Sequence, residues 1–179
     1  MNFFVEDKDF LNQEEKNYIH TIINKNPFSL YWKDGTGHLD DNAFLSHTLI
    51  TRVEKEETGE VVSHFSDFFI QLLIKFCFKH KINFNKVFRG CINVTFTLAN
   101  KSKKRKGIPH VDHDFPHKQL IIYLNESDGE TVILDHKDKI WKKIKPELYK
   151  AICFEGPIKH YATTPLKYNR RIICVLTFI

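Results

Sequence analysis

Apolar residues recur along the chain at two different periods. Tyr18, Ile19, Ile22 and Ile23 follow at helical intervals after Asn12 and Glu15, whose spacing is that of a capping box, and Pro27 stops the run. This predicts a first helix over 13–25. Phe65, Phe68, Phe69, Leu72, Leu73 and Phe76 mark one face of a second helix, as core positions rather than a cofactor box. Between the helices, Leu30 to Trp32 and His47 to Val53 are short β-prone runs. From Val87 onward the period shortens. Val87 to Leu98, Lys118 to Leu124, Glu130 to Leu134, Lys139 to Ile144, Lys150 to Phe154 and Arg170 to Phe178 are β-branched and aromatic runs separated by turns. Asn125 to Gly129 has the composition of a hairpin turn, and Lys101 to Gly107 that of a polar loop. Two helices ahead of roughly seven or eight strands predict a mainly β fold with N-terminal helices (α+β), an antiparallel barrel or sandwich braced from outside.

Composition narrows this picture. With 179 residues, 42% of them hydrophobic and sixteen of them Phe, the chain has enough apolar mass for a packed core, so a disordered segment is excluded. We expect one domain over 1–179, with helical support in 1–86 and the β core in 87–179. No apolar run approaches the roughly 20 residues of a membrane span, and Met1 to Asp9 lacks the features of a signal peptide. A soluble, cytoplasmic protein with no membrane partner is the expectation. Cys77, Cys91, Cys153 and Cys174 sit in apolar stretches without CxxC spacing, which predicts buried free thiols. Much of the net charge of +5 comes from Lys101, Lys103, Lys104, Arg105 and Lys106, a solvated loop that can also attract an acidic protein or nucleic acid.

The candidate chemistry is concentrated in Pro109-His110-Val111-Asp112-His113-Asp114. Residues i and i+2 of a strand share a face, so His110 and Asp112 can offer an imidazole and a carboxylate to one cavity, two parts of a 2-His-1-carboxylate facial triad. His160, after the Gly156-Pro157 turn, is the candidate third ligand. Three ligands on one side of an octahedral metal leave the other side open, which suits Fe(II) oxygenases better than a closed structural zinc. Arg170 and Arg171 open an otherwise apolar strand. A guanidinium facing a barrel interior needs a carboxylate, so one of the pair points in and the other to solvent. Alternation on a strand turns His113 away from Asp112, toward the rim or behind the ligands, and His117 and His136 are expected in solvent.

In order along the chain, Pro109-His110-Val111-Asp112, Leu120-Ile121-Ile122-Tyr123-Leu124-Asn125, Asp128-Gly129-Glu130-Thr131, Gly156, His160 and Arg170 resemble the 2-oxoglutarate and Fe(II)-dependent dioxygenases, especially prolyl-hydroxylase-like and phage-encoded members. The resemblance implies a double-stranded β-helix (jelly roll) with His110, Asp112 and His160 on Fe(II). It implies Arg170 on the distal carboxylate of 2-oxoglutarate, chosen over Arg171 by its distance from His160, with the Tyr123 hydroxyl as companion. O2 as oxidant and ascorbate as auxiliary reductant belong to the same implication. So does the reaction: oxidative decarboxylation of 2-oxoglutarate to succinate and carbon dioxide, coupled to hydroxylation of a prime substrate, a prolyl or other protein side chain first. A viral member would act in the host cytoplasm. Three alternatives stand beside it: a nucleic-acid-directed oxygenase, a non-catalytic jelly-roll binding module using the basic loop 101–106, and a zinc hydrolase on the same ligands. The nucleic-acid branch carries a further arginine downstream that the last strand lacks, and no general-base Glu lies near the HxD for a hydrolase.

Overall fold

Strands that are apolar on both faces need cover on both, and this chain supplies it with helices on one side and a second sheet on the other. The structure, a computed structural model, describes residues 3–24, 29–35, 42–97 and 103–179. Its elements run β1 (Phe4–Asp7), α1 (Gln13–Asn24), β2 (Tyr31–Lys33), β3 (Phe44–Ile50), α2 (Ser66–His80), β4 (Val87–Phe96), β5 (Lys118–Tyr123), β6 (Thr131–Leu134), β7 (Ile140–Ile144), β8 (Ala151–Glu155), β9 (His160–Ala162) and β10 (Arg170–Phe178). A seven-stranded sheet has the order β1-β8-β5-β10-β4-β3-β2, and a three-stranded sheet the order β7-β6-β9. Their ladders are antiparallel, and together they form a double-stranded β-helix.

The period-2 alternation of β10 separates two cores. Ile172, Cys174, Leu176 and Phe178 face the helices and meet Ile19 and Ile22 of α1 and Phe69, Leu72 and Phe76 of α2. Ile173 and Val175 face the other way, against Ile133 of β6 and Ile144 of β7 in the space between the sheets. The four cysteines are buried and free, as expected.

Local chemistry sets the helix ends. Asn12 and Glu15 exchange hydrogen bonds, Glu15 N to Asn12 Oδ1 at 2.9 Å and Asn12 N to Glu15 Oε2 at 2.7 Å, the reciprocal cap that the spacing predicts. The expected stop at Pro27 lies outside the described residues. α2 runs on to His80 and ends where Lys81 takes φ 55°, with its N–H toward the carbonyls of Cys77 and Phe78. No helix among the described residues is long and apolar enough to cross a membrane.

Three expectations need correction. Residues 1–86 add strands to the two helices: β2 and β3 overlap the β-prone runs Leu30 to Trp32 and His47 to Val53, whereas β1 is unexpected and forms the opposite edge of the large sheet. Asn125 to Gly129 is not a hairpin turn: β5 and β6 belong to different sheets, and the segment crosses between them. The HxD does not lie on a regular strand either. His110 forms an isolated antiparallel bridge with His160, and Asp112 follows in a bend.

Candidate metal centre and cavity

The segment carrying the HxD is held to the small sheet by scattered pairings. Lys106 bridges Thr163 and His110 bridges His160, with His110 N to His160 O and His160 N to His110 O both at 3.0 Å. The two histidines, fifty positions apart in sequence, are thus direct cross-strand partners, and their rings lie 4.8 Å apart. Each ring binds a carbonyl two residues back through Nδ1, His110 to Ile108 at 2.9 Å and His160 to Ile158 at 3.2 Å. A proton on Nδ1 leaves each Nε2 as the unprotonated nitrogen able to coordinate, and that of His160 stands 3.1 Å from Gln119 Nε2.

Asp112 completes the group, and the ligating atoms of His110, Asp112 and His160 lie within 4.8 Å of one another. Arg89 on β4 donates to Asp112 Oδ1 at 3.0 Å, so one carboxylate oxygen is fixed and the other is available. Burial resists ionisation of Asp112. Arg89, with His160 and His110 adding to it, overcomes that and holds the carboxyl well below the usual carboxylate range. Burial lowers His160 to about 4 against the pull of Asp112, so its imidazole is neutral at physiological pH. The ionised Asp112 carboxylate and the neutral His160 imidazole are donors that fit a divalent cation without first losing protons. Arg89 was beyond sequence reasoning, because nothing in the β4 sequence shows that it reaches a residue 23 positions on.

These side chains open on a cavity of about 540 Å³ between the sheets. The two arginines stand the other way round from the expectation. Arg171 is 3% exposed and lines the cavity, whereas Arg170 is exposed. The antiparallel ladder of β10 with β4 and β5 fixes the register, and Asn125 extends it, its Oδ1 accepting from Ile172 N at 2.6 Å and its Nδ2 donating to the Arg170 carbonyl at 3.0 Å. That pairing puts Arg171 on the face of Ile173 and Val175, a phase one residue from that drawn from the His160 spacing.

Arg171 donates through Nη2 to Thr131 Oγ1 at 2.6 Å, and the Tyr123 hydroxyl donates to the same oxygen at 2.8 Å. Tyr123 is fully buried and stands behind Thr131 rather than on the cavity wall. With both acceptor positions of Thr131 Oγ1 taken, its own proton is left to donate elsewhere. Arg171 Nε and Gln119 Oε1 are buried without partners among the described residues, and Gln119 Nε2 lies 3.1 Å from His160 Nε2. A carboxylate is the acceptor that the Arg171 fork lacks. Gly129 makes room for this arrangement, since a Cβ there would lie 2.8 Å from Thr163 O and 3.1 Å from Arg171 Cδ. Thr131 belongs to the Asp128-Gly129-Glu130-Thr131 motif of the resemblance, which gives it no role, and Gln119 carries no sequence signal as a site residue, because its strand reads only as an apolar run.

The other candidates are placed differently from one another. His113 is buried behind the site, its Nε2 2.8 Å from Thr177 Oγ1 and its ring stacked on Phe115. His136 is exposed as expected, but His117 is buried, packed on Gly156 with Nε2 unpartnered among the described residues. The expected solvent position of His117 fails because the loop after Asp112 folds back over Phe88 instead of extending outward. Lys101 and Ser102 of the basic loop lie outside the described residues. Lys104 is turned to Asp128 and Glu130, and none of residues 103–106 lines the cavity.

No protein family model matches the sequence, and no curated protein does. Solved structures share the fold. An oxidoreductase of the 2OG-Fe(II) oxygenase family from Burkholderia pseudomallei aligns over 98% of this chain and 84% of that one, with TM-score 0.73 and 15% identity. A prolyl hydroxylase from Trichoplax adhaerens, in complex with a hypoxia inducible factor peptide fragment, aligns over 98% and 83%, with TM-score 0.59 and 14% identity. The epimerase SnoN of nogalamycin biosynthesis, in complex with Fe3+, alpha ketoglutarate and nogalamycin RO, aligns over 99% and 79%, with TM-score 0.62 and 10% identity. Oxygenases of this class, including a prolyl hydroxylase, are therefore this chain's structural neighbours, and the double-stranded β-helix is what it shares with them.

Proposed function

We propose that this chain is an Fe(II)- and 2-oxoglutarate-dependent oxygenase that hydroxylates a prime substrate. One observation carries the reading: a compact His110, Asp112 and His160 group shares a cavity with Arg171, a buried arginine that has no carboxylate partner among the described residues. His110, Asp112 and His160 would hold the iron. Arg171 would bind the distal carboxylate of 2-oxoglutarate, with Thr131 donating beside it and Tyr123 orienting Thr131. Iron with 2-oxoglutarate and O2 supplies oxidative decarboxylation and the oxidising power for a C–H bond. The chain's own part is positional. Arg89 holds Asp112 ionised and aimed, the Ile108 and Ile158 carbonyls fix the histidine tautomers, and the apolar wall of Ile121, Ile173 and Val175 keeps bulk water from the inner end. The prime substrate reaches the site from the outer end, beside β2 and β3, and a protein side chain with proline first is the substrate that the sequence resemblance implies.

The test is an anaerobic visible absorption titration of apo-protein with Fe(II) and then 2-oxoglutarate. A charge-transfer band is expected only with both, only where Asp112 is intact, and with a raised 2-oxoglutarate requirement in Arg171→Gln. Folded wild-type protein with no band would return the binding-module reading to first place.

A further inference from the structure

An apolar stripe on the outer face of α2 is left uncovered by the described residues. Ile70, Ile74 and Phe78 recur at every fourth position and so share one side of the helix, opposite the side that buries Phe69, Leu72 and Phe76. Ile70 is half-buried, Ile74 is 38% exposed and Phe78 is 87% exposed. Apolar side chains in line and rimmed by charge mark an interaction surface, which a single exposed residue does not.

The charged rim is symmetric. Asp67 lies seven positions before Ile74, and Lys81, the cap residue just past the helix, seven after it, and both are exposed. Seven residues are close to two turns, so the two charges stand at the two ends of the stripe. The other charged side chains of α2 are committed within the chain, Lys75 to Glu15 at 2.7 Å and Lys79 and His80 to Asp7 at 2.8 and 2.7 Å. Asp67 and Lys81 have no side-chain hydrogen bond or ion pair among the described residues. A twofold axis through Ile74 carries this pattern onto itself. Two copies laid antiparallel there set Ile74 against Ile74, Ile70 against Phe78 and Asp67 against Lys81, as an isologous interface requires. A parallel pairing in the same register would instead set Asp67 on Asp67 and Lys81 on Lys81. No residue of α2 lines the cavity, so the metal centre takes no part in the contact.

We infer that the partner of the α2 stripe is a second copy of this chain, docked antiparallel about Ile74. The inference does not depend on the oxygenase reading. Three side chains offer roughly a few hundred Å² a side, under the roughly 800 Å² of a standard interface, so the dimer is a reversible one.

The experiment is sedimentation equilibrium of the full chain at low ionic strength, where surface pairs are least screened, from about 1 µM to about 1 mM, the span of dissociation constants open to a small interface. It compares wild type with Phe78→Ser, Asp67→Lys, Lys81→Asp and the double exchange Asp67→Lys/Lys81→Asp. The substituted positions are all exposed, and far-UV circular dichroism checks that the fold is kept. Wild type should pass from the mass of one chain towards that of two. Phe78→Ser takes a ring from each side of the contact and should weaken dimerisation about 10-fold or more. Each single reversal turns both symmetry-related ion pairs into repulsions and should weaken it about 4-fold or more, while the double exchange should return to within about twofold of wild type. The inference is overturned if wild type keeps the mass of one chain throughout, if its mass rises past that of two, or if Phe78→Ser dimerises as wild type does. Single reversals without effect, or a double exchange that does not recover, overturn the antiparallel register.

Discussion

Replacing Arg171 with methionine should change two properties in opposite directions. Its guanidinium is buried, bonded to Thr131 and otherwise unmatched at Nε, and burial acts against its charge while Tyr123 partly offsets that. Methionine has comparable length and no charge to desolvate, so the apo-protein should gain about 1–4 kcal/mol, the range seen when buried ionic groups give way to apolar ones. For a chain of this size that is a rise in Tm of about 2–4 °C per kcal/mol. Co-substrate affinity should move the other way. Hydrogen bonds to charged groups contribute about 1.5–3 kcal/mol each, so losing one or both arms of the fork weakens 2-oxoglutarate by roughly 10-fold to about 20,000-fold. Thermal unfolding of the metal-free protein and the absorption titration measure the two effects, with Arg170→Met as the exposed control that should change neither. An Arg171→Met protein that loses stability and keeps its affinity, or an Arg170→Met protein that loses affinity, would refute the placement of the arginine.

Three further outcomes follow from the geometry. Arg89→Gln leaves the buried Asp112 carboxylate without its cation, which should cost about 3–5 kcal/mol in denaturant unfolding and make Fe(II) binding fail at a higher pH than in wild type. Gly156→Ala would place a Cβ 2.0 Å from the His117 ring, and overpacking of this kind should cost about 1–3 kcal/mol in the same measurement. Burial holds His117 below the ordinary histidine value, so between that lowered value and about pH 6.5 the unfolded chain binds more protons than the folded one. This contribution to stability is present above that window and is lost as pH falls through it, so His117→Phe should give a shallower fall in Tm between about pH 7 and 5, and an unchanged slope would count against the buried position.

The helices were legible because their signals are local. The Asn12 and Glu15 cap and the Phe65 to Phe76 stripe each lie within a few turns of backbone. The strand runs from Val87 onward were legible as strands for the same reason, through β-branched composition. β1 and β9 were not, since four and three residues are too short to display a period and depend on their partners β8 and β6. The residues of the triad could be proposed from type and order, but the way they meet could not: an irregular bridge between His110 and His160 did what a regular strand was expected to do.

By itself the sequence determined the mainly β class, the two helices, the buried thiols and which three side chains are candidates for the metal, because composition and local spacing encode these directly. Which arginine faces inward was decided only by the tertiary structure. In Arg170 to Phe178 both faces are buried from Arg171 onward, so the apolar pattern carries no phase, and the pairing of β10 with β4 and β5, extended by the side-chain bonds of Asn125, fixes it. The same holds for Arg89 on Asp112, for Thr131 between Tyr123 and Arg171, and for the burial of His117. Each depends on a contact between distant segments, and a contact of that kind exists only once the sheets have closed.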